Sequence, residues 1–134
     1  MSDQTIRRVN PETIAPPVGY THVVEARSSR TVHISGQVAL DSHGNLVGPG
    51  DMHAQAEQVF KNLQSALRAV NASFSDVVKL TYFVVDLSQM QAVRDVRGRY
   101  IDEAHLPAST AVEVRRLVRA DFLLEIEATA ALND

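Results

Sequence analysis

The chain has no cysteine among its 134 residues, which excludes a disulfide framework, a thiolate nucleophile and a cysteine-based zinc site. No apolar run approaches the ~20 residues that a membrane span needs, and the opening MSDQTIRRVN lacks the apolar core of a signal peptide. A cytoplasmic location with no membrane partner is the resulting expectation. Positive charge is not in excess either. The 13 Lys and Arg against 16 Asp and Glu leave a net charge of -3, so there is no sign of the basic face that nucleic-acid binding uses, and no nucleic-acid partner is expected. The five histidines show no HxH or HxxxH spacing, and residues 44–50 lack a phosphate-loop lysine. Neither a metal site nor a cofactor is expected. Internal repeats and low-complexity tracts are absent.

What is present is a 45% hydrophobic content, enough to build a core for one domain over residues 1–134. The stretch from Leu106 to Ala130 organises the rest. Over residues 109–117 and 122–130, β-branched and apolar residues alternate with polar ones, the period of two that sends successive side chains to opposite faces. In the second segment Leu124, Ile126, Ala128 and Ala130 make an apolar face opposite Leu123, Glu125, Glu127 and Thr129. A hairpin is predicted, with its apolar face under a helix layer. Residues 20–26 and 30–35 also alternate, and the polar ARSSR between them predicts a second hairpin. Residues 5–10 read as a short edge strand. The three prolines between residues 11 and 19 exclude a helix interior or a central strand there.

Asp51 is the expected N-cap of a helix over 52–70, in which Ala56, Val59, Phe60, Leu63, Leu67 and Val70 recur at steps of three and four. Asn71 falls where a left-handed cap would end it. Residues 77–85 read as a central strand apolar on both faces. A second helix over 88–102, with a serine cap, carries Met90, Val93, Val96 and Tyr100. Two helices cover only one face of such a sheet, so a second copy of the chain is expected over the other, near Glu113, Glu125 and Glu127.

These pieces resemble the Rid family (RidA, also called YjgF). The resemblance is carried by Gly19-Tyr20, Ser35-Gly36-Gln37, Gln55 with Asn62-Leu63, Asp76-Val77-Val78-Lys79, Pro107-Ala108 and Glu125-Ile126-Glu127-Ala128, in family order from about residue 18 to the end. It implies a chorismate-mutase-like α+β subunit with a mixed sheet of about six strands and two helices on one face. It also implies a homotrimer barrel with small-molecule clefts between subunits. Family members that hydrolyse reactive imines carry, directly after the Pro-Ala, an arginine that holds the substrate carboxylate. Here that position is Ser109, whose hydroxyl has neither the charge nor the fork for a bidentate pair.

The resemblance makes Glu125 the residue that would direct the attacking water. Tyr20, Ser35 and Gly36 would line the pocket. Arg94 stands where the deaminases have an asparagine. The expected function is therefore binding of an imine, enamine or carbonyl metabolite, with deaminase-like hydrolase chemistry but doubtful action on the simple imines. A non-catalytic trimer that binds a ligand or a protein is the first alternative, and a ribonuclease, known only from family labels, is the second.

The bland readings stand beside these. Arg94 and Arg97, three residues apart, fit a solvated helix face, and Glu125 fits an ion pair between subunits. About 60° apart around the axis, the two arginines border the apolar stripe on opposite sides, so one of them, not both, is expected at the cleft. His22, two residues after Tyr20, is a further acid/base candidate.

Overall fold

The structure, a computed structural model, describes residues 5–134. Residues 1–4, part of the leading segment searched for a signal peptide, lie outside it. Six strands and two helices follow one another as β1 (Thr5–Val9), β2 (Val23–Arg27), β3 (Arg30–Gln37), α1 (Met52–Ala69), β4 (Val77–Val84), α2 (Met90–Tyr100), β5 (Ala108–Glu113) and β6 (Leu124–Leu132). The strands divide into a four-stranded mixed sheet, ordered β3-β6-β4-β5, and a two-stranded antiparallel ribbon, β1-β2. The ribbon lies against β4 and β6.

Helix α1 forms as its sequence requires. The Asp51 carboxylate accepts a hydrogen bond from the Ala54 amide, and Asn71 adopts φ 59° just beyond the last turn. The stripe Ala56, Val59, Phe60, Leu63 and Leu67 is buried on Leu124, Ile126, Ala128 and Ala130 of β6, the face anticipated from their alternation. Phe60, Phe74 and Tyr100 close the end of the helix layer, with ring centroids 5.4 to 6.0 Å apart.

Both predicted hairpins are corrected. β5 and β6 are not neighbours: β4 lies between them, parallel to β5 and antiparallel to β6. Alternation marks which face a strand buries but carries nothing about its hydrogen-bond partner. β4, buried at Leu80, Tyr82 and Val84, takes an interior place beside β6. β2 likewise pairs with β1, while β3 pairs with β6. The N-terminal edge strand therefore has its partner in β2.

The crossover between β5 and β6 is held from inside the molecule. Gln55, fully buried, donates through Nε2 to the carbonyls of Gly48 (3.1 Å) and Asp121 (3.0 Å), and accepts from the Leu123 amide at 2.9 Å. Asn62 does the same for the chain after β3, donating to the carbonyls of Val38 and Leu40 at 3.0 and 2.9 Å. The buried Gln55 and half-buried Asn62 amides thus satisfy loop carbonyls that would otherwise lose water without replacement.

Two local expectations also change. A register shift between Val77 and Lys79 turns Val77 into the core, so the open face of β4 presents Lys79, Thr81 and Phe83, all half-buried, and is less apolar than the sequence implied. The predicted serine cap of the second helix is replaced by Asp86. Its carboxylate accepts from the Ser88 hydroxyl (2.6 Å) and amide (3.0 Å), starting a 3-10 turn at Leu87–Gln89 that runs into α2. These bonds hold the Asp86 carboxyl below its ordinary pKa.

Candidate functional site

The predicted site residues fall into two groups on opposite faces of the sheet. The first group surrounds a cleft of about 190 Å³ beneath α2, lined by Gly19, Tyr20, Tyr82, Arg94, Arg97 and Ser109, with Val18, Met90 and Ala111 completing the wall. Ser109 and Ala111 of β5 lie opposite Leu80 and Tyr82 of β4, and so share the helix-covered side.

The loop that brings Tyr20 to this cleft is tied to the segment before β5. The Thr21 amide donates to the Pro107 carbonyl at 3.1 Å, and the Thr21 hydroxyl donates to the Leu106 carbonyl at 2.6 Å. Leu106 and Pro107, the second of them part of the family pattern, thereby anchor the Tyr20 loop. His22 serves the same loop. One ring edge meets Tyr20 at a centroid distance of 5.3 Å, and Nε2 lies 2.7 Å from the Ala15 carbonyl. Its ring is engaged in the loop and does not line the cleft.

Arg94 and Arg97 of α2 both line the cleft, contrary to the expectation that one alone would. Guanidinium groups at the ends of long side chains reach the same space from positions three residues apart. Arg97 is packed on the backbone of Gly19, which has φ +78°; a β-carbon there would stand 3.0 Å from its Nη2. Among the described residues neither Arg94 nor Arg97 has a carboxylate within salt-bridge distance. The neighbouring Arg99, by contrast, pairs with Glu57 of α1.

Tyr82 is a polar lining residue that the sequence did not single out. The Tyr82 side chain points under α2 and is 3% exposed. Its hydroxyl has no hydrogen-bond partner of adequate geometry, although Arg97 lies close enough to oppose the effect of burial. Burial prevails and pushes its pKa up to about 12. The available signal was a phenol on a strand face otherwise made of Leu80 and Val84.

The second group lies on the open face. Glu125 is paired with Phe83 across β4 and β6, and its carboxylate rests over Gly36, in the irregular turn of β3 that includes exposed Ser35. No hydrogen bond or ion pair engages this carboxylate among the described residues. Gly36 also borders a broad, shallow hollow of about 780 Å³ with Gln37, Lys61 and Asn62. A further hollow of about 380 Å³, between Leu67, Phe74, Tyr100 and His105, contains none of the predicted site residues.

A mixed sheet with two helices on one face, a cleft under the second helix and a free carboxylate on the opposite face defines an α+β subunit of the YjgF type. The chain belongs to the Rid family: residues 10–132 match the family model described as Endoribonuclease L-PSP. It is 35% identical over 130 residues to a RutC family protein of Synechocystis, covering 96% of this chain and 98% of that one. It is 35% identical over 125 residues to the 2-iminobutanoate/2-iminopropanoate deaminase of Mus musculus, covering 93% and 91%. A crystal structure of a conserved Rid protein of unknown function from Yersinia pestis superposes with a TM-score of 0.88 at 41% identity, covering 95% of this chain and 98% of that one. No helix among the described residues is long and apolar enough to cross a membrane.

Proposed function

We propose that the protein is a cytoplasmic homotrimer that binds a small carboxylate-bearing metabolite of the imine, enamine or carbonyl class in clefts between subunits. The observation that carries this reading is the division of the site. Arg94, Arg97, Tyr20 and Ser109 surround an anion-ready cleft on one side of the sheet, while the Glu125 carboxylate, unpaired among the described residues, stands beside Gly36 on the other. One chain cannot present both groups to one ligand through its own sheet. A neighbouring copy can, by setting its Glu125 face against the cleft of the first.

In such a cleft Arg94 holds a carboxylate from the α2 side and not from position 109, so a bound acid takes a different pose from one anchored at that position, and Tyr20 and the Ser35-Gly36 backbone orient the ligand. Glu125 directs a water at the C=N or C=O carbon and takes up its proton. For an imine, addition of water followed by loss of ammonia gives the 2-oxo acid, the reaction class printed in the name of the murine relative. A purely scaffolding trimer would instead tie this carboxylate into an ion pair between subunits. The net charge of -3 opposes a ribonuclease.

The test is a coupled assay with 2-iminobutyrate and 2-iminopropionate, run beside titrations of the corresponding 2-oxo acids. Small acids should bind, and Arg94→Ala should weaken them. Hydrolysis of the two simple imines should not rise above the spontaneous rate. A charge-assisted pair is worth ~1.5 to 3 kcal/mol, and each 1.4 kcal/mol lost is tenfold in rate. Turnover equal to that of the murine enzyme would overturn the argument from Ser109, and absence of binding to every small acid would overturn the cleft.

A further inference from the structure

We propose that the cleft beneath α2 selects small 2-oxo or 2-imino acids with two carboxylates, Arg94 and Arg97 each receiving one acidic group. The inference rests on the small-acid reading above and names the substrate class within it.

One carboxylate is satisfied by one guanidinium through a bidentate pair. This cleft has two, three residues apart on α2, and among the described residues no carboxylate of the chain neutralises either. Like charges at that spacing on a helix repel, so the arrangement is unfavourable until anionic groups arrive. Arg97 is also not a freely moving surface chain. It is half-buried, and its guanidinium is laid against Gly19. A side chain at position 19 would both strain the backbone and strike that guanidinium.

Tyr82 lines the same cleft, but its hydroxyl is buried beside Arg97. The phenol therefore backs the Arg97 guanidinium without neutralising it. Two guanidinium groups and the Ser109 hydroxyl form a set of donors without a built-in anion, in a volume of about 190 Å³. That volume suits a short diacid whose carboxylates meet the two arginines while the C2 oxygen or nitrogen meets the Ser109 hydroxyl. The rival occupant is a carboxylate of a second copy of the chain, which would make the arginines subunit contacts.

Calorimetric titration of the intact protein decides the matter, using oxaloacetate and 2-oxoglutarate against pyruvate and 2-oxobutyrate, with inorganic phosphate as a separate arm. One additional charge-assisted pair should favour the dicarboxylates by about 10- to 100-fold. Arg97→Gln and Arg94→Gln should each bring that ratio close to one, and Arg97→Lys, which keeps the charge, should retain part of it. Thermal melts verify that the variants fold. Equal binding of mono- and dicarboxylates would overturn the inference and leave the small-acid reading intact. Phosphate binding as tightly as the diacids would replace the diacid by a single dianionic group. If no acid binds and Arg97→Gln dissociates the assembly in sedimentation, the arginines belong to the subunit interface and both readings fail.

Discussion

The Glu125 carboxylate occupies the space that a side chain at Gly36 would fill: a β-carbon built at Gly36 would stand 2.0 Å from Oε2 and 2.7 Å from the carboxyl carbon. The glycine and the glutamate are therefore one unit, in which the missing side chain of the first fixes where the second can point. Gly36→Ala should displace the carboxylate by a change of rotamer, at a cost of about 0.5 to 1.5 kcal/mol. Chemical denaturation should show this small loss, whereas any Glu125-dependent turnover should fall as far as in Glu125→Gln. Full turnover in Gly36→Ala would separate the glycine from the site.

Tyr82 gives a pH dependence with a definite sign. Its folded pKa of about 12 lies above the ordinary value of 10.0, so the folded protein holds the phenol proton more tightly than the unfolded chain. This contribution is fully present below pH ~10 and is lost as pH rises from there through ~12, a decline on the order of 2 to 3 kcal/mol. Tyr82→Phe should remove the Tyr82 share of that decline. At pH 7 the variant should be as stable as wild type or slightly more so, since an unpaired buried hydroxyl is gone. Denaturant melts between pH 7 and 11 measure both effects.

Gln55→Leu keeps the apolar volume but leaves the Gly48 and Asp121 carbonyls and the Leu123 amide without their partner. Each orphaned group costs ~1 to 3 kcal/mol. The variant should therefore lose about 3 kcal/mol or more, read as a lower urea midpoint. A loss below 1 kcal/mol would mean that water replaces the amide there.

Phe83 and Phe60 separate folding from assembly. Phe60 is fully buried on the core face of α1, and its replacement by alanine should cost about 3 to 5 kcal/mol in the chain itself. Phe83 is half-buried on the open face beside exposed Val112. Phe83→Ala should destabilise the chain less than Phe60→Ala and should weaken its self-association in sedimentation equilibrium. An undiminished assembly would remove Phe83 from the subunit contact.

The sequence by itself determined whatever is set by neighbours along the chain. The α1 stripe, its Asp51 cap and the left-handed Asn71 follow from helical spacing and local backbone chemistry. The buried face of β6 follows from alternation, which survives any choice of strand partner. The ordered family residues, including Tyr20, Gly36 and Glu125, were legible in the same way.

Partnership between distant segments was decided only by the tertiary structure. β4 separates β5 from β6, and periodicity, which marks only the face a strand buries, does not record which strands become neighbours. The bulge at Val77 and Lys79 reverses which residues meet the open face. The cleft needed Thr21 to bind Leu106 and Pro107, Arg97 to pack on Gly19, and Tyr82 to lie under α2. A charge and a phenol become a site only when the fold removes water and alternative partners from around them, and that depends on three-dimensional packing that one-dimensional spacing does not contain.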